Sequence, residues 1–126
     1  MTTALDHYKK GLALFGQQKN EDAVAEFRKA LELRTDWLDA LHGLATAQSK
    51  LGDQDSALAT IQRVIELDPD DAFAYTSQSI FLQRKGLIPE AEAASAKARM
   101  ASWKQELKKN PNAPPPSGPG GMSVVQ

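Results

Sequence analysis

Apolar residues recur along the chain at spacings of three and four, and short polar or glycine-bearing stretches interrupt them at regular intervals. This pattern predicts six helices. The best-punctuated stretch is Gly52 to Asp71, GDQDSALATIQRVIELDPDD. Gly52 suits the left-handed residue that closes a preceding helix, and Asp53 can accept from the free N–H groups of the next one. Ala57, Ile61, Val64, Ile65 and Leu67 form an apolar side. Pro69 stops the helix, because proline lacks an N–H and clashes with the preceding turn. Asp70 and Asp71 then offer a cap for the helix that follows.

The flanking stretches repeat the design. Residues 4 to 18 carry Leu5, Tyr8, Leu12, Leu14 and Phe15 behind a Thr3 cap. A second helix begins at Asn20 as cap, with Glu21 and Asp22 in the first turn, where the helix dipole favours acids. It carries Ala23, Val24, Phe27, Ala30, Leu31 and Leu33 and ends at Thr35 and Asp36, the latter capping a third helix over 37–51. The fifth spans 72–85 and stops at Gly86. The sixth starts with Pro89 at its first position, where the missing N–H costs nothing, and runs to Lys109 before Asn110-Pro111. Sustained alternation is absent, so no strands are expected.

Corresponding positions recur every 34 residues: Ala23, Ala57 and Ala91; Ala30, Val64 and Ala98; Phe27, Ile61 and Ser95; Gly11, Ala45 and Ser79. Gln18, Gly52 and Gly86 share the turn inside each helix pair. Small residues let paired helices approach closely, and a large one at Ala23, Ala57 or Ala91 would overpack the contact by roughly 1–3 kcal/mol. One pair cannot bury its apolar faces alone, so stacking three pairs creates the core.

These residues resemble the tetratricopeptide repeat. The middle unit matches best, with Leu44-Ala45, Gly52, Ala57 and Pro69 in place. The first unit has Gln18 for the turn glycine and Thr35 for the closing proline, and the third has Ser95 for a large apolar residue. The resemblance implies an all-α, right-handed superhelical solenoid of three helix-turn-helix pairs. Its units fall at about 4–37, 38–71 and 72–105 within residues 1–109, the last helix is elongated, and a disordered Pro/Gly-rich tail follows over 110–126.

Composition narrows the function. A net charge of −1 gives no general case for nucleic acid or an anionic membrane. No stretch approaches the ~20 apolar residues of a membrane span. The N-terminus lacks the order of a signal peptide, so the cytoplasm is the expected compartment. Cysteine is absent, which removes disulfide and thiolate chemistry. His7 and His42 lack a metal-ligand spacing, no phosphate-binding glycine loop precedes a helix, and no Ser/His/acid arrangement stands out. The expectation is a protein with no cofactor, no metal and no catalytic residues.

The resemblance implies that the first helix of each pair lines a groove. Helix projection assigns to it Leu5, Tyr8, Lys9 and Leu12, then Asp39, His42, Thr46, Ser49 and Lys50, then Phe73, Thr76, Ser77, Ile80 and Arg84. Apolar ends with a polar middle suit a peptide with apolar anchors from a protein partner. Members of this family that grip the C-terminal carboxylate of large chaperones place Lys, Asn or Arg where this chain has Tyr8, Leu12, Gly43, Phe73 and Ser77, so no carboxylate clamp is expected. The sixth helix would reach roughly 31 Å at 1.5 Å per residue and overhang the array. Ala96, Met100, Trp103 and Leu107 form a stripe along it. Two expectations compete there: Trp103 folds back over the second unit, or Met100, Trp103 and Leu107 associate with a second copy or another partner. Charge is uneven: residues 53–71 hold six acids and only Arg63, whereas residues 84–109 hold seven bases and three acids. The tail holds five of the seven prolines within 111–119, a composition that builds no core.

Overall fold

Six helices account for most of the chain: α1 (Ala4–Gly16), α2 (Asn20–Leu33), α3 (Leu38–Lys50), α4 (Gln54–Leu67), α5 (Ala72–Arg84) and α6 (Ile88–Lys109). They are seen in a computed structural model that describes residues 1–116. Helices α1 and α2, α3 and α4, and α5 and α6 form three pairs, and each pair packs onto the next through α2 against α3 and α4 against α5. The architecture is an α-solenoid, and among the described residues there is no strand.

The turns inside the pairs explain the interval. Gln18, Gly52 and Gly86 all take positive φ, at 62°, 87° and 80°. In each turn a backbone N–H reaches back five residues: Lys19 to Leu14, Asp53 to Gln48 and Leu87 to Leu82. This bond satisfies a carbonyl that the ended helix leaves free. Gln18 takes the left-handed conformation without being glycine, which ends α1 at Gly16, two residues earlier than the sequence pattern predicts.

Three caps form as their residues predict: Thr3 with Asp6 in a reciprocal box, Asp53 to the Ser56 N–H, and Asp71 to the Ala74 N–H. Two differ. Asn20 is the first residue of α2, with Lys19 as a cap that makes no side-chain bond. Trp37, not Asp36, precedes α3, and Asp36 instead accepts from the Arg63 guanidinium at 2.6 Å. Pro89 is second in α6, still in the first turn.

Two apolar clusters make the core. Ala23, Phe27, Leu44 and Ala47 join the first two pairs. Leu41, Ala45, Ala57, Ile61, Val64, Ala74 and Phe81 join the second and third. The residue at the centre of each second helix trades volume with its neighbours in register. Phe27 meets Gly11 and Gly43, where an added Cβ would lie 2.8 Å from the ring. One interval later the same three positions hold Ile61, Ala45 and Ser77. Where the large residue is smaller, the small ones are larger, as close packing in register favours. In the third unit Ser79 bonds the Ala91 carbonyl at 2.8 Å, so a buried hydrogen bond joins α5 to α6.

Helix α6 has 22 residues, about 33 Å at 1.5 Å per residue. Ala91, Ala94, Ala98 and Ala101 are its buried residues. The chain then turns at Asn110 and folds back. Ala113 is 8% exposed, and its carbonyl accepts from the Trp103 indole at 3.1 Å. Residues 110–116 therefore form a strap against α6, within the stretch expected to be a disordered tail. The remainder of that expected tail, 117–126, lies outside the described residues. Trp103 does not fold over the second unit as one expectation had it. It is held by this strap, on the side of α6 that carries Ser102 and Glu106. Met100 lies on another side, beside Pro69, Tyr75 and Lys104, so the projected stripe is split in two.

Candidate functional site

The three first helices, α1, α3 and α5, lie side by side and make one inner face. A cavity of about 450 Å³ opens on it, lined by Tyr8, Leu12, Phe15, Phe27, Asp39, His42, Gly43, Thr46 and Phe73. Six of these were projected from the sequence: Tyr8, Leu12, Asp39, His42, Thr46 and Phe73.

Each wall has a local cause. Tyr8 packs on Trp37 in a tilted pair with ring centroids 4.7 Å apart, and the Arg34 guanidinium lies 4.5 Å from the Trp37 ring, a cation–π contact that helps fix the ring. The Tyr8 phenol is pushed above its ordinary pKa, first by burial and then by the negative charge of Asp39, so Asp39 sits within electrostatic reach of it. His42 Nε2 lies 2.7 Å from Asp71 Oδ2; a carboxylate only accepts, so Nε2 carries the proton. The other Asp71 oxygen caps α5 through the Ala74 N–H at 3.1 Å. One carboxylate thus orients His42 and fixes the start of α5, where Phe73 projects. Phe73 meets the His42 ring edge-on at 5.4 Å and is 66% exposed.

Phe15, Phe27 and Gly43 complete the cavity and were not projected. Phe27 belongs to a second helix and forms the floor only because Gly11 and Gly43 leave its ring room. The glycine at 43, one interval away from buried Ser77, was the available signal.

The other projected residues lie elsewhere. Leu5 and Lys9 are exposed on α1 outside the cavity, and Ile80 is exposed on α5. Ser49 is buried: its hydroxyl donates to the Gln54 side chain at 2.6 Å and accepts from Arg84. Ser77 is also buried, because it stands in the register of Gly43, where neighbouring pairs meet. Neither presents a side chain to the inner face. Thr76 borders the recess beside Trp103 and Pro114. Lys50 borders a separate recess with Phe15, Gln18 and Asn20.

His7 is part of the packing. Its Nδ1 donates to Glu26 at 2.8 Å, and Lys10 and Lys29 approach the other carboxylate oxygen. These partners hold the Glu26 carboxyl below its ordinary range, the His7 bond being the largest cause. Among the described residues no group of three His, Cys, Asp or Glu is arranged to hold a metal ion. The His42 Nδ1 is buried with no partner, so no hydroxyl stands where a histidine-activated nucleophile would. No described helix is long and apolar enough to cross a membrane.

Three stacked helix pairs with a cavity on their shared inner face define a helical-repeat solenoid. The chain belongs to the tetratricopeptide repeat family, whose model matches residues 14–77. Among solved structures it is similar to MamA, with 28% identity, a TM-score of 0.79 and coverage of 83% of this chain and 61% of that one. The chain thus spans about three fifths of that MamA structure. The first repeat domain of Spaghetti (RPAP3) bound to an HSP90 peptide aligns at 19% identity and a TM-score of 0.72, covering 88% of this chain and 82% of that one. The Yersinia enterocolitica type III secretion chaperone SycD, in complex with a peptide of the translocator YopD, aligns at 22% and 0.74, with 82% and 79% covered. These last two show the fold alone. No curated protein matches the chain.

Proposed function

We propose that the protein is a non-catalytic interaction module that holds a peptide segment of a partner along its inner face, with an apolar side chain of the peptide seated in the Tyr8–Phe73 cup. The observation that carries this reading is the pairing of a 450 Å³ cavity with exposed apolar residues at its mouth, Phe73 at 66% and Leu12 at 45%. Exposed large apolar side chains beside a concavity mark interaction sites more often than isolated ones do. RPAP3 and SycD carry peptides in their solved complexes, which is consistent with this use of the fold. The cup has no cation where the chaperone-tail binders place theirs, so the reading excludes a carboxylate clamp.

Selection of heptapeptides from a displayed library tests it. Phe73→Ala should weaken the selected peptides by about tenfold or more, as removal of an aromatic anchor does. Circular dichroism should not change, because Phe73 lies outside the core. Equal binding by the variant would remove the cup from the function. Association of two copies through α6 has less support, since the strap lies against Trp103 and Met100 is on another side of the helix. A constant monomer mass in light scattering across concentrations is expected.

A further inference from the structure

The cup is apolar on its floor and sides, and its one ionic lining residue is Asp39. Among the described residues Asp39 makes no ion pair, whereas seven other acids pair with a cation or histidine or cap a helix. Asp71 stands behind His42, with its oxygens on that ring and on the Ala74 N–H. His42 spends its Nε2–H on that carboxylate and buries Nδ1, so the imidazole offers the cup no donor. No Lys or Arg lines it. The Tyr8 phenol, pushed up in part by the charge of Asp39, places that charge against the aromatic wall. A cation here would meet a carboxylate beside an aromatic wall.

We propose that the cup selects an apolar peptide side chain flanked by a basic residue, the guanidinium or ammonium of the partner pairing with Asp39. This inference rests on the reading of the inner face as a peptide site and specifies its ligand. The occupant is an extended segment of a separate protein. Charge complementarity argues for it: a basic flank gains a partner, a neutral flank leaves Asp39 as it is, and an acidic flank meets the like charge of Asp39.

A positional library of heptapeptides with a fixed central Leu or Phe tests the flank directly. Wild type, Asp39→Asn and Phe73→Ala are compared at low and physiological salt. Arg and Lys beside the anchor should be preferred over Glu by about three- to tenfold, as for a partly screened charge pair. The preference should shrink with salt and vanish in Asp39→Asn, while the need for the apolar anchor stays. Equal selection of basic, neutral and acidic flanks overturns the inference and leaves the peptide reading standing. A basic preference that survives Asp39→Asn also overturns it. Failure of every anchor, with Phe73→Ala indistinguishable from wild type, overturns both. A dimer in light scattering that Asp39→Asn dissolves assigns the cup to a second copy and overturns the separate partner.

Discussion

At Phe27, two backbones close on one ring. Gly11 from α1 and Gly43 from α3 each leave room for the ring and nothing more, since a Cβ at either would lie 2.8 Å from it. Gly11→Ala should therefore destabilise the protein by about 1–3 kcal/mol, the usual cost of overpacking. Gly16→Ala, with nothing within 4 Å of its added Cβ, should be neutral or stabilise by up to about 1 kcal/mol through helix propensity. Urea unfolding of the pair separates crowding from the general effect of the substitution. Glu26 makes a second prediction at this scale. Its carboxyl is held low by the His7 bond and by Lys29 and Lys10. That contribution is complete above the carboxyl's unfolded pKa of about 4.3 and is lost as pH falls through the lower folded value. Glu26→Gln should flatten the acid limb of stability against pH in that window, measured as urea midpoints between about pH 4.5 and 3.

At the scale of elements, much was legible because turn chemistry is local. Gly52 and Gly86 read as left-handed helix stops, and both take positive φ. Asp53 and Asp71 read as caps, and both bond the N–H three residues on. Asn20 and Asp36 also read as caps and are not. Neither start uses a side-chain cap, and the alternatives differ by one residue, which the apolar period cannot resolve. The strap had no signal in the sequence. Asn110 to Pro116 has the composition of a tail, and it lies back on α6 through one indole bond and the burial of Ala113, contacts with a helix turn about ten residues back that no local pattern announces. Ending the chain after Lys109 should uncover Trp103 and shift its fluorescence to the red, read in a Trp37→Phe background. An unshifted spectrum would mean that the strap does not cover the indole.

For the whole molecule, the interval of 34 decided the fold, because matches in register constrain three units at once. The inner face was harder to read. Projection names residues that point one way from an isolated helix, but Ser49 and Ser77 are consumed by contacts between pairs, and the His42–Asp71 bond joins residues 29 apart in sequence. Phe27 reaches the cup from the helix behind, which no projection of first helices can show. The assembled face carries one prediction about charge. With Tyr8, Leu12, Gly43 and Phe73 around the cup and Ser77 buried, an HSP90 C-terminal peptide meets no cation there and should show no submicromolar binding in calorimetry.

Phe27 is at once the floor of the cup and the joint between the first two pairs. An occupant of the cup bears on the same ring that holds the solenoid closed. Opening that joint would cost the occupant its seat, so occupancy and resistance to unfolding are coupled quantities. A melting curve then becomes a binding assay: a molecule that fills the cup raises the midpoint with the logarithm of its concentration, and Phe73→Ala, which takes away part of the seat, should lessen that rise.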